Sequence, residues 1–309
     1  MRYFTSIIVL IIVTSLYYSC GYQNLSEVEK LFPNEPDTTN LPELAVFLEH
    51  DEIQKILNQE TFLSNGKKRY KGIKSVPQNY DDFSRDSLDE VYWPRISVIE
   101  GDFRGASIRS ARCNDGNYRK SDFRLADIRW TIFDGSIMDS INFEQSRLFH
   151  VKVNYVPLSN SNFRGANMFG MEGHFTTMRN CDFSGALMKD SEFLESDLTG
   201  SKGIKAKLFR AVLLKSKLDS CDFSYADFTG AGLEESSFIN TRLWYANFQG
   251  GHLQGTNLSG ADLKGCNFFG TEFENTNFNG AINIPEEIKG FINENGFATG
   301  IWQDTKQFK

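Results

Sequence analysis

The sequence predicts an all-β solenoid: a narrow tube built of five-residue steps, closed by a small segment at each end. Two periodicities carry that prediction. Taking every fifth residue from 103 to 278 gives 36 positions, and 32 of them hold Phe, Leu, Met, Ile or Val. Two residues before each of these, at 101, 106 and on to 276, 32 of 36 hold Gly, Ala, Ser, Thr or Cys. A third observation excludes the usual elements. A helix repeats every 3.6 residues and a strand every two, so a period of five fits neither. In a flat strand an odd period would send successive large residues to opposite faces. They share one core only if the chain turns a corner at every repeat. One large and one small inward residue per step then fills a close-packed tube.

The exceptions are informative. Cys113, Tyr118, Gly173 and Gly203 interrupt the large positions. Met171 with Gly173 keeps the volume of a pair by exchanging the two slots. At Ser201 and Gly203 both slots are small, which predicts an inward Ile204 and a local distortion. Ala126-Asp127-Ile128, Ala226-Asp227-Phe228, Ala246-Asn247-Phe248 and Ala261-Asp262-Leu263 resemble the pentapeptide-repeat family. The resemblance implies a right-handed quadrilateral β-helix of four repeats, or 20 residues, per coil. Residues 101–280 then make nine coils, about 43 Å long at strand spacing.

The flanks are expected to be different in kind. Residues 1–19 have one charge, Arg2, and an apolar stretch from Ile7 to Leu16, the layout of an export signal. Leu16-Tyr17-Tyr18-Ser19-Cys20 resembles a bacterial lipobox, which implies lipidation at Cys20. Tyr17 and Tyr18 depart from that pattern, and a simply secreted chain or an uncleaved anchor are the alternatives. Residues 20–43 are expected to be a flexible tether. Residues 44–100 are expected to cap the open N-terminal end, with a helical spacing at Leu44–Leu57, a hairpin turn at Asn65-Gly66 and a basic run from Lys67 to Lys74. In 281–309, Pro285, Glu286 and Glu287 open a short cap helix whose stripe is Ile288, Phe291 and Ile292, with Gly296 at its end. Phe297, Ile301 and Trp302 are expected to finish the seal.

Stacking residues 20 apart allows the rod surface to be paired from sequence. The basic stretch Lys202–Lys217 gains acidic neighbours, Arg210 over Asp190 and Lys215 beside Glu235 among them, and reads as a charge ladder rather than a nucleic-acid patch. Arg104, Arg124 and Arg164 share one column and Arg109 stacks on Arg129; these are candidate contacts for an anionic partner. Phe149 and Phe169 occupy outward positions of a second column and are candidate partner contacts as well.

Chemistry finds little foothold. His50, His150, His174 and His252 fall in different columns without metal-ligand spacing. There is no phosphate loop and no nucleophile motif, so no enzyme, no cofactor and no metal are expected. The cysteines Cys113, Cys181, Cys221 and Cys266 read as small core residues, since those sharing a column lie two coils apart, about 9.6 Å by strand spacing, too far for a disulfide. The expectation is a non-enzymatic, membrane-anchored lipoprotein of the cell envelope, whose rod serves an unknown protein partner as a scaffold. The alternatives are a DNA-mimicking rod that binds a topoisomerase, which the resemblance allows, and a secreted protein that self-associates, with a homodimer possible. Residues 101–280 carry 20 Lys and Arg against 21 Asp and Glu. That near-neutrality opposes mimicry of DNA, and no nucleic acid is expected as a partner.

Overall fold

In the computed structural model, residues 26–41 and 81–300 are described. From Asp81 to Gly280 the chain winds as a right-handed quadrilateral β-helix of ten 20-residue coils. Each coil is tied to the next by parallel bridges between residues 20 apart, from Asp82↔Asp102 to Asp262↔Ile282. At strand spacing the rod is about 48 Å long. The ladder misses a rung at Ile137 and position 157, where proline has no N–H to give. Met138 N–H still donates to the Pro157 carbonyl at 2.9 Å.

The five-residue rule follows from the corner. In each repeat one small residue points in, the next bridges outward, the next large residue points in, and two residues turn. Both inward positions are buried almost without exception. Phenylalanines stack along the axis on one side, Phe83, Phe103, Phe123, Phe143, Phe163 and Phe183, with neighbouring centroids 4.4–5.2 Å apart. On the next side Phe228, Phe248 and Phe268 continue the same device. Hydroxyls at the small positions donate back to the preceding coil, as Ser121 does to the Val98 carbonyl at 2.9 Å and Ser201 to that of Met178 at 2.9 Å. Cys181, Cys221 and Cys266 point their thiols at the same kind of carbonyl, at 3.1, 3.1 and 2.9 Å. All four rod cysteines are free and buried.

Several expectations change. The coil begins at least 20 residues before Gly101, because Phe83, Leu88, Trp93 and Val98 fill its large positions. Asp81, Asp86, Val91 and Ile96 stand where small residues were required, which hid that coil from the second periodicity. Gly203 causes no distortion: its N–H donates to Asp222 at 2.7 Å, and Lys202 bridges both Asp182 and Asp222. The empty space is taken by the Phe223 ring, whose Cε1 would lie 2.1 Å from a Cβ placed on Gly203. Ile204 is buried yet lies outside the core cluster. The same exchange occurs at Gly173, where Phe193 fills in beside the buried Met171.

At the C-terminal end a helix, α2, is shorter than its stripe suggested. It spans Glu286–Lys289 and stops at Gly290, six residues before Gly296, because glycine is a poor helix former. The chain then returns as a strand, Phe297–Ala298, antiparallel to Thr276–Asn277 of the last coil. Residues 26–41, expected to be a loose tether, contain a helix, α1, at Glu27–Leu31, opened by a capping box between Ser26 and Glu29. The lipobox, the basic run Lys67–Lys74 and Trp302 lie outside the described residues.

Candidate interaction surface

Every fifth residue from Arg85 to Gly280 has a left-handed backbone, with φ between 51° and 75°. That conformation costs an L-residue about 1–2 kcal/mol, and glycine or asparagine pays least. Thirteen of these corners have kept the cheap solution of glycine. Others hold large aromatic residues: Trp130, Tyr155, Phe175, Tyr225 and Tyr245. Tyr155 is 65% exposed and Trp130 47%. The fold does not require rings there, and clustered exposed rings are the feature by which contact surfaces are recognised.

These rings gather into two columns and a stripe. Tyr155 stacks on Phe175 at 5.1 Å and Tyr225 on Tyr245 at 5.1 Å. The stripe follows a neighbouring column. Phe149 stacks on Phe169 at 5.0 Å, Trp130 meets Phe149 edge-on at 5.7 Å, and His150 lies against both phenylalanines. Lys189 spans the gap to the next ring, 5.7 Å from Phe169 and 5.4 Å from Phe209. Arg129 covers Trp130 and Arg210 covers Phe209, both at 5.3 Å. Arg129, Trp130, Arg147, Phe149 and Asn167 line an open groove of about 380 Å³ at the head of the stripe.

The arginines expected to meet an anionic partner each have a carboxylate already. Arg104 pairs with Asp102 at 2.7 Å and Arg124 with Asp122 at 2.8 Å. Arg129 pairs with Asp127 at 2.6 Å, Arg109 with Asp89 at 2.5 Å and Arg164 with Asp182 at 3.2 Å. For Arg104, Arg124 and Arg129 the Asp stands at the outward bridge position two residues earlier, whereas Arg109 and Arg164 take their carboxylates from neighbouring coils. Burial would raise the Asp89 carboxyl, but hydrogen bonds from Arg109 and Ser107 outweigh it and hold it below the usual carboxylate range. Asp190 is lowered chiefly by its hydrogen bond from Arg210. The ladder over Lys202–Lys217 appears in the pairs Arg210–Asp190 at 2.7 Å and Lys215–Glu235 at 3.8 Å.

Column reading missed two features. The corner rings occupy the fifth position of each repeat, outside the columns of bridge and turn charges. A second feature left almost no trace. Residues 26–41 run along one face of the rod against the direction of its coils. Arg242 donates to the carbonyls of Phe32, at 3.4 Å, and Asn34, while Lys205 reaches that of Thr38 at 3.1 Å and Arg164 that of Asn40. The Phe32 ring covers the Arg242 guanidinium at 4.7 Å, and Trp244 flanks it at 5.2 Å. Beneath lies a buried ion pair between Arg242 and Asp222, side chains 6% and 4% exposed. Among the described residues, no group of three or more His, Cys, Asp or Glu side chains is placed to hold a metal ion. Nor is any helix there long and apolar enough to cross a membrane.

Comparison with known proteins bears on the rod. Residues 216–255 and 246–282 match the family model "Pentapeptide repeats", with eight copies. No curated protein matches the chain. Among solved structures, HetL of Nostoc sp. strain PCC 7120, involved in heterocyst differentiation regulation, is 19% identical over 71% of this chain and 94% of its own, with a TM-score of 0.45. QnrB1, a plasmid-mediated fluoroquinolone resistance protein, is 18% identical over 70% and 94%, with a TM-score of 0.42. A pentapeptide repeat protein of the Arabidopsis thaliana thylakoid lumen is 30% identical over 30% of this chain and 61% of its own, with a TM-score of 0.22. Residues 216–282 thus carry the family's repeats, and the same five-residue step runs through all ten coils of the β-helix.

Proposed function

We propose that the protein is a non-enzymatic scaffold of the cell envelope, anchored by lipid at Cys20, whose rod presents its outward rings to a protein partner. The observation that carries this reading is the aromatic stripe Trp130, Phe149, Phe169 and Phe209, interleaved with Arg129, Lys189 and Arg210. Rings and guanidinium groups of this kind are enriched at protein–protein contacts. The rod beneath them is one continuous core, so the rings are held at fixed spacing and little entropy is lost on contact. A mimic of DNA needs a strong acid excess, and the near balance of charge along 101–280 speaks against that alternative.

Two measurements test the reading. The intact mass of membrane-extracted protein should show acylation beginning at Cys20, lost in Cys20→Ala. Photo-crosslinking from position 149 in intact cells should capture one envelope protein, and Trp130→Ala with Phe169→Ala should lose it. An unmodified, soluble, full-length chain would overturn the address. Capture that survives the ring substitutions would overturn the contact surface.

A further inference from the structure

Resting on the anchor proposed above, we infer how the rod stands on its membrane: the C-terminal coils face the bilayer, touching it through Leu31, Tyr225 and Tyr245, and the N-terminal coils project outward. The first ground is the course of residues 26–41. Phe32 and Asn34 sit at Arg242 in the ninth coil, Thr38 at Lys205 in the seventh, and Asn40 at Arg164 in the fifth. The chain therefore approaches from the C-terminal end of the rod. Helix α1 places Ser26 within about 9 Å of Phe32. Six further residues reach back to Cys20, a chain length of at most about 22 Å. The first coil lies eight steps from Arg242, about 38 Å along the axis. An acyl group on Cys20 therefore stays within about 31 Å of Phe32 and cannot lie beside the first coil.

The second ground is independent of the anchor. The same end carries exposed side chains suited to a bilayer interface. Leu31 is 49% exposed, and Tyr225 and Tyr245, stacked on each other, are 38% and 45% exposed. Beside them the Trp244 indole lies under the Lys264 ammonium at 4.2 Å and donates its N–H to Asp262 at 2.6 Å. Tyrosine and tryptophan favour the headgroup level because one edge is apolar and the other polar. Two acids there are paired, Glu27 with Lys30 and Asp222 with Arg242, whereas Glu274, Glu287 and Glu294 stand exposed at the same end. The occupant of this surface is the bilayer interface. The groove at Trp130 and Phe149, in the third and fourth coils, is then carried away from the membrane, where an envelope partner can reach it.

The test uses the full-length acylated protein in phosphatidylethanolamine–phosphatidylglycerol vesicles containing rhodamine-labelled lipid. A donor dye is attached at Gln249→Cys or at Arg119→Cys, both exposed and about 31 Å apart along the axis. The buried native thiols leave the introduced one as the reactive group. Energy transfer to the lipid should be several-fold stronger from 249 than from 119. Replacing both tyrosines, Tyr225→Ser with Tyr245→Ser, should lower transfer from 249 at unchanged protein mass. Equal or reversed transfer in a protein of acylated mass overturns the orientation while the anchor stands. An unmodified mass removes the anchor, and the orientation falls with it. Transfer from 249 that ignores the tyrosine substitutions overturns the contact surface.

Discussion

Gly203 shows how a solenoid of fixed pitch absorbs a missing side chain. The backbone keeps its bridges, and the ring of Phe223, one coil on, moves into the space. A Cβ at 203 would stand 2.1 Å from that ring, so the two positions share one volume. Gly203→Leu alone overpacks the core and should cost about 1–3 kcal/mol or more. Phe223→Leu alone leaves a void and should cost a similar amount. The double variant should recover most of the loss, giving a coupling of about 1–2 kcal/mol in a urea-melt cycle. Additive losses would show that the two positions do not share space. Burial likewise governs the thiols: it pushes Cys113 and Cys181 up to about 12, and Cys221 and Cys266 are raised as well. A thiol in that state is a poor nucleophile. Folded protein should therefore resist a thiol reagent at pH 8 and take up four labels on the rod once unfolded.

At the scale of the element, residues 26–41 behave as a strap with one strong fastening. Arg242 supplies its charge to Asp222, its N–H groups to two carbonyls and its face to Phe32. Removing Arg242 would leave Asp222 buried without its cation, at a cost of about 3–5 kcal/mol, so that variant mixes release of the strap with damage to the rod. Phe32→Ala separates the two. It gives up a partly desolvated cation–π contact of about 1–2 kcal/mol and touches no inward position. Limited proteolysis should then cut within 26–41 several times faster, with the rod's melting temperature unchanged. Equal cutting rates would mean that the strap is held elsewhere. The strap escaped the sequence because its partners are the carbonyls of Phe32, Asn34, Thr38 and Asn40, groups that every chain possesses. Only the Ser26-x-x-Glu29 box marked a helix there.

For the molecule as a whole, the tube was legible because its core is the same pair of side chains set down again at every corner. Its ends were not, because each end is unique and is sealed by backbone groups. Asp81 and Asp86 concealed the first coil, and Gly290 turned an expected helix into a helix and a return strand. Charge adds a modest dependence on pH. Asp89, Asp190 and Asp197 are all held below the usual carboxylate range, so they titrate lower in the folded than in the unfolded chain. Their contribution is present above about pH 4 and is lost as pH falls through the lowered values. The melting temperature should be flat from pH 7 to about 5 and fall below pH 4; a fall beginning near pH 6 would point to histidine instead. The C-terminal seal makes a sharper prediction. In the last coil Leu263 donates to Ile282 at 3.0 Å, Phe273 to Gly300 at 2.8 Å and Phe278 to Gly296 at 2.8 Å, while Ile288 lies buried beside Phe268. These contacts occupy the donors with which each earlier coil meets its successor. A chain ended at Asn295 frees the donors of Phe273 and Phe278 and uncovers the strand Thr276–Asn277, an edge that can pair with another copy. It should elongate by end-to-end association, seen as rising light scattering with concentration, while the full-length chain shows no such rise. A truncated chain that stays monomeric would mean that α2 alone closes the rod.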